Sequence, residues 1–161
     1  MSVKPIPEGY HTLTAYLAVE DADRAIEFYK DAFGAEEVVR MGAPDGRVAH
    51  AELQIGDTVL MVSDPYPMQN AKSPKELGGT TVSIFMYVED VDASYKKAID
   101  SGATAIMEPD DMFWGDRFGS FTDPYGHAWA IATHIEDLSE DEMRSRGEKA
   151  MAEMAAAAPQ S

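Results

Sequence analysis

The chain has no cysteine. That removes disulfides, thiolate nucleophiles and thiolate metal sites together. It also lacks any run near the roughly 20 apolar residues that a membrane-spanning helix needs. The opening stretch MSVKPIPEGYHTLT has no apolar core of the kind a secretory leader carries, so a cytoplasmic protein away from membranes is the expectation. Basic residues are scarce. Thirteen Lys and Arg stand against 29 Asp and Glu, a formal net charge of −16. Such a field repels nucleic acid and anionic lipid, and neither is expected as a partner. Solubility is its plain consequence; attraction of cationic ligands is an alternative that composition leaves open. There is no glycine-rich cofactor loop after a strand and no basic stripe, which argues against methyl transfer and DNA repair.

What is present suffices to fold. The 161 residues are 45% hydrophobic and 26% charged, enough for one ordinary domain or two small packed halves. Residues 13–19 (LTAYLAV) are rich in strand formers. The run Glu20-Asp21-Ala22-Asp23 then opens a helix, with acidic groups where the macrodipole favours them. Ala22, Ile26, Phe28, Tyr29 and Phe33 recur at helical spacing, and Gly34 ends the helix. A short strand over 37–41 and a Gly/Pro/Asp turn follow, then a hairpin of 48–55 and 58–63 about Gly56-Asp57. The first half reads β-α-β-β-β.

Residues 64–79 (DPYPMQNAKSPKELGG) read as a linker, after which the pattern returns. A strand is expected over 80–88 and a helix from Glu89-Asp90-Val91-Asp92 to Gly102. A strand over 103–107, a turn at 108–111 and two strands joined by Asp123-Pro124-Tyr125-Gly126 complete it. Val-Glu-Asp-x-Asp at 19–23 recurs at 88–92, an offset of 69 (88 minus 19), and the helix-ending glycines differ by 68 (102 minus 34). This internal repeat is the strongest organisational fact in the sequence. The expected modules are 11–64 and 80–135, with a linker over 65–79. Residues 136–158 form a C-terminal helix and tail, opened by a Ser139/Glu142 capping box, with Met143, Met151 and Met154 on one stripe.

A repeated βαβββ unit of this size resembles the vicinal oxygen chelate superfamily of glyoxalases, bleomycin-resistance proteins and dioxygenases. The strings AIEFYKDAFGAEE (25–37), DGRVAHAELQIGD (45–57), SIFMYVEDVD (83–92), FWGDRFGSFTDPYGHAWAIATH (113–134) and EDLSEDEM (136–143) are similar to its PhnB-like branch. The resemblance implies an α+β fold. Tandem modules form an incomplete mixed β-barrel, helices outside and ligand cavity inside, with a homodimer whose cavity lies within one chain or across two.

Strand alternation can be set against that fold. Thr12, Thr14, Tyr16 and Ala18 fall on the cavity side of the first strand, and Ser83, Phe85 and Tyr87 on that of the fifth. The two-residue turn places His50, Glu52 and Gln54 with Ser63, Met61 and Val59. A four-residue DPYG turn would place Phe121 and Gly119 beside Ala128 and Ala130. Metal-dependent members take ligands from the first and last strand of each module. Those positions fall at Thr14, Met61, Ser83 and Ala130, and none is His, Glu or Asp. No metal and no cofactor is therefore expected, and metal-dependent glyoxalase I or dioxygenase activity is not expected either. A divalent ion on His50 and Glu52, with His134 as third ligand, stays open, though spacing fixes no third donor.

The expected function is a small-molecule binder with an aromatic cavity. Its candidate lining is Tyr16, His50, Glu52, Met61, Phe85, Tyr87, Phe113, Trp114, Arg117 and Phe121. Arg117 would suit an anionic group or pair with Glu52 or Asp116. Trp129 alternates to the helix side and is expected in the core. The alternative is a lyase or isomerase on a small oxygenated substrate, with His50 and Glu52 as the catalytic pair.

Overall fold

A computed structural model describes residues 3–66 and 71–157. The first module contains β1 (Tyr16–Ala18), α1 (Ala22–Phe33), β2 (Glu36–Gly42), β3 (Val48–Ile55) and β4 (Thr58–Ser63). A one-turn helix, α2 (Pro74–Leu77), follows. The second module contains β5 (Ser83–Tyr87), α3 (Val91–Asp100), β6 (Thr104–Asp111), β7 (Asp116–Thr122) and β8 (Ala128–His134), and α4 (Glu140–Ala157) closes the described chain.

The strands form two four-stranded mixed sheets, ordered β1-β4-β3-β2 and β5-β8-β7-β6. In each, the first strand runs parallel to the last and the other pairs are antiparallel. Tyr16 pairs with Met61 and Phe85 with Ala130, so both partners move by the same 69 positions (85 minus 16, 130 minus 61). The repeat legible in the sequence is a repeat of pairing.

The same offset governs the helix starts. The Asp21 side chain accepts from Arg24 N at 3.4 Å, and Asp90 accepts from Ala93 N at 2.9 Å, each serving an N–H that the first helical turn leaves unpaired. A second support comes from the end of the sheet. Asp64 accepts from Ala22 N (3.2 Å) and Val48 N (2.7 Å). Sixty-nine positions on (133 minus 64), Thr133 Oγ1 accepts from Val91 N at 2.9 Å and donates to Val88 O at 2.9 Å. A carboxylate and a hydroxyl fill equivalent places.

The core lies between the sheets. Helix α1 buries Ala22, Ala25, Ile26, Phe28, Tyr29 and Ala32, an apolar face too wide for one sheet alone. It packs on β3 and β4 of its own module and on α3 of the other. Phe33 also reaches Trp129 (4.6 Å between ring centroids) and Phe121 (6.1 Å). Asp123 pins the contact: its Oδ2 accepts from Tyr29 Oη (2.8 Å) and Trp129 Nε1 (2.9 Å), and its Oδ1 from the amides of Tyr125 and His127 (both 2.9 Å). A carboxylate this buried is tolerable because four donors replace its water. All ring contacts between the modules lie on this inner side. The outer faces of the two sheets are left open.

Several expectations change. β1 is three residues long rather than seven. β6 runs through 108–111, where a turn was expected: Pro109 is accommodated because β6 is an edge strand, with register shifts between Ala105 and Met107 and between Met107 and Asp110. Part of the linker coils into α2, capped by Ser73, whose Oγ accepts from Glu76 N at 3.2 Å. Linker residues 67–70 and the tail from 158 lie outside the described residues.

Candidate functional site

The outer face of the first sheet carries a hydrogen-bonded chain. Met61 pairs with Tyr16 on one side and Glu52 on the other, which sets Tyr16, Met61 and Glu52 in one row. His50 lies two residues from Glu52 on the same face, as alternation requires. The Tyr16 hydroxyl meets His50 Nδ1 at 2.9 Å, and His50 Nε2 meets Glu52 Oε1 at 3.0 Å. Glu52 Oε2 accepts from the Tyr10 hydroxyl. That bond, more than the one to His50, holds the Glu52 carboxyl below its ordinary range, and the Tyr10 hydroxyl rises in return. A carboxylate can only accept, so His50 Nε2 donates to it. In neutral His50, Nδ1 then accepts from Tyr16. The segment before β1 folds over this face, leaving a hollow of about 510 Å³ bordered by Pro7, Tyr10, Thr14, Glu52 and Met61.

The outer face of the second sheet is aromatic. Phe85 and Tyr87 alternate on β5, with ring centroids 5.1 Å apart, and are 48% and 63% exposed. Phe118 of β7 lies 5.8 Å from Phe85, and Trp114, just before β7, lies 5.7 Å from Phe118. Beneath them Asp116 is only 3% exposed. Its Oδ2 accepts from Tyr87 Oη (3.0 Å) and Trp114 Nε1 (3.1 Å), and its Oδ1 lies 2.8 Å from His134 Nδ1. Asp116 first, and Asp137 second, raise the His134 pKa above its ordinary 6.5. One carboxylate thus fixes the polar edges of three side chains, while Phe85 and Tyr87 stay exposed and Trp114 and Phe118 are half-buried.

The predicted lining is therefore divided. Tyr16, His50, Glu52 and Met61 share one outer face, Phe85, Tyr87 and Trp114 the other, and among the described residues no ring contact or side-chain hydrogen bond joins the two groups. Phe121 is corrected: it is 1% exposed and packs against Tyr95 (6.0 Å) on the helix side. The connection from β7 to β8 spans five residues, Thr122 pairing with Ala128, so each residue of β7 turns to the face opposite that expected. Arg117 is corrected by the same alternation. It pairs with Asp92 (2.7 and 2.8 Å) and Asp111 (2.9 Å), not with Glu52 or Asp116. Phe113 stacks edge-on to Trp114 at 5.0 Å and sits beneath Gly147, so it serves the docking of α4. Trp129 is in the core, 2% exposed.

His134 stands with Asp116 and Asp137 rather than with His50 and Glu52. Among the described residues no three His, Asp or Glu side chains gather as a metal site would require. The hydroxyls of Thr14 and Ser83, the Met61 thioether and the Ala130 methyl are not a donor set for a divalent ion. The metal that the resemblance implies does not fit these residues. Sequence reasoning missed Asp116, Phe118 and Tyr10. A five-residue turn count would have found the first two by alternation; Tyr10 lies in irregular chain and gives no periodic signal.

The model of the Glyoxalase/Bleomycin resistance protein/Dioxygenase superfamily matches residues 10–131. An uncharacterised protein of Mycobacterium bovis is 39% identical over 136 residues, covering 83% of this chain and 90% of that one. Among solved structures, TioX from Micromonospora sp. ML1 superposes with a TM-score of 0.63 at 28% identity, over 78% of this chain and 99% of its own. A PhnB protein from Bacillus cereus shares the fold, with a TM-score of 0.59 at 21% identity over 76% and 99%. The chain belongs to the glyoxalase/bleomycin resistance/dioxygenase superfamily. No helix of the described residues is long and apolar enough to cross a membrane.

Proposed function

We propose that this chain is a small-molecule-binding protein of the PhnB-like branch, whose ligand lies on the outer face of the second sheet. The observation that carries this reading is the cluster of Phe85, Tyr87, Phe118 and Trp114, the first two exposed and the last two half-buried, with Tyr87 and Trp114 held by buried Asp116. Rings exposed on a sheet face lose contact area to water unless something covers them, and their fixed orientation lowers the entropy cost of covering them. The string FWGDR…DPYGH…W supports the branch.

Closure comes from a second copy. Tyr16 (47% exposed), Val39 (36%) and Met41 (54%) leave the first outer face apolar around its polar chain, and Phe85, Tyr87 and Met107 do the same on the second. A twofold homodimer sets the first face of each copy over the second face of the other. Each ligand is then enclosed by aromatic rings from one chain and by Tyr16, His50 and Glu52 from its partner. The test is calorimetric titration with a neutral aromatic alcohol, 4-tert-butylbenzyl alcohol. Saturable binding, weakened about tenfold or more by Phe118→Ala, is expected from the loss of one buried ring. Affinity untouched by that change would remove the ligand from this face.

A further inference from the structure

We infer that the ligand of the second outer face is an organic cation, a quaternary or protonated amine on an apolar frame; this rests on the small-molecule reading above. A cation is drawn to the negative face of an aromatic ring, most strongly for Trp and Tyr. Here Trp114 and Tyr87 each donate their polar edge to Asp116 Oδ2, at 3.1 and 3.0 Å. A hydrogen bond from the ring's edge to an anion pushes electron density back into the ring and deepens the negative potential on its face. Phe85 and Phe118 extend the same surface.

No Lys or Arg of the described residues lies over these rings. Among the described residues, the cation–π contacts are Arg47 over Tyr66 and Lys75 over Tyr125, both elsewhere. Arg117, the neighbour of both Asp116 and Phe118, turns to the opposite side, where Asp92 and Asp111 hold it. Around the cluster stand the carboxylates of Asp116 and Asp137 with His134 between them, Asp110 opposite Phe118 on β6, and Glu89 and Lys97 on the cleft whose edge Phe85 and Tyr87 reach. The net charge of −16 adds a long-range attraction in the same direction.

The experiment is a calorimetric comparison of two probes of one shape: 4-(trimethylammonio)benzyl alcohol and its carbon isostere, 4-tert-butylbenzyl alcohol. Each has about 12 heavy atoms, for which apolar contact alone gives a dissociation constant of roughly a few millimolar, the value expected for the isostere. The cation should bind about tenfold tighter than the isostere. Phe85→Leu, which keeps apolar bulk but removes a ring face, and Asp116→Asn, which keeps shape but removes charge, should each narrow that ratio. Equal affinities would overturn the cation inference and leave the small-molecule reading standing. A cation preference undiminished in both variants would also overturn it, assigning the effect to the general acidic field. Binding of neither probe would overturn both readings.

Discussion

The Tyr29 hydroxyl donates to Asp123 Oδ2 at 2.8 Å, joining a helix of the first module to the turn between the last two strands of the second. Burial first, and Asp123 next, push the Tyr29 hydroxyl well up, so it remains a donor throughout the ordinary pH range. A hydrogen bond to a buried charged acceptor contributes about 1.5–3 kcal/mol. Tyr29→Phe should destabilise the chain by that amount in urea. Asp123→Ala, which strands four donors, should cost about 3 kcal/mol or more. Both variants should still unfold in a single transition, because the two modules share one core. Separate transitions in the wild-type chain would contradict the shared core.

Phe113 is expected to tether α4. The helix buries none of its residues, and its neighbours are the Phe113 ring beneath Gly147 and the exposed Arg146–Glu136 pair at 2.7 and 2.8 Å. An exposed pair of this kind contributes little. Phe113→Ala should accelerate hydrogen exchange across 140–157 while leaving β7 and β8 protected. Unchanged exchange in α4 would show that another contact holds it.

The pH dependence has a definite sign at His134. Its pKa is raised, so protonated His134 is favoured in the folded state. That contribution is fully present below 6.5, the ordinary value, and is lost as pH rises through the folded pKa. The His134 ring resonances should titrate above 6.5 in the wild-type chain and fall towards it in Asp116→Asn. At Glu52 the sign is opposite. Its lowered pKa contributes stability above the ordinary carboxylate range, lost as pH falls through the folded value. Tyr10→Phe should move the Glu52 carboxyl resonance to a higher titration midpoint; an unmoved midpoint would remove Tyr10 from that face in solution.

Pairing of two copies over the outer faces predicts that Phe85→Glu shifts sedimentation from dimer to monomer. A charge placed among half-exposed rings would face the partner's Glu52 and lose its hydration there. A wild-type monomer at micromolar concentration would exclude the enclosed site.

The two hairpins explain how far the sequence was legible. Gly56-Asp57 is a two-residue turn with a single register, so Glu52 opposite Met61 followed by counting. The Asp123–His127 connection is one residue longer than its DPYG string suggests. Asp123 N donates to His127 O at 2.9 Å and extends the turn. That one residue exchanged Phe121 and Arg117 for Phe118 and Asp116 on the outer face. The repeat at 69 was visible because turn and cap residues recur in kind. The separation of the two outer faces was not, because it depends on α1 reaching Trp129 and Asp123, contacts about 100 residues away that carry no periodic signature.

The two tryptophans give the most direct measurement of where the ligand lies. Trp114 Nε1–H donates to Asp116 on the aromatic outer face, whereas Trp129 Nε1–H donates to Asp123 in the core. Trp129 also borders a cleft of about 730 Å³ between the modules, with Phe33, Leu60, Ile84 and Met86. Phe85 and Tyr87 reach its edge as well, so Trp129 rather than Phe85 or Tyr87 distinguishes the two places. Nitrogen–proton correlation spectra show each indole as its own resonance. Titration with 4-(trimethylammonio)benzyl alcohol should move the Trp114 indole signal and spare that of Trp129. Movement of Trp129 with Trp114 unchanged would place the ligand in the cleft and contradict the assignment of the outer face as the binding site.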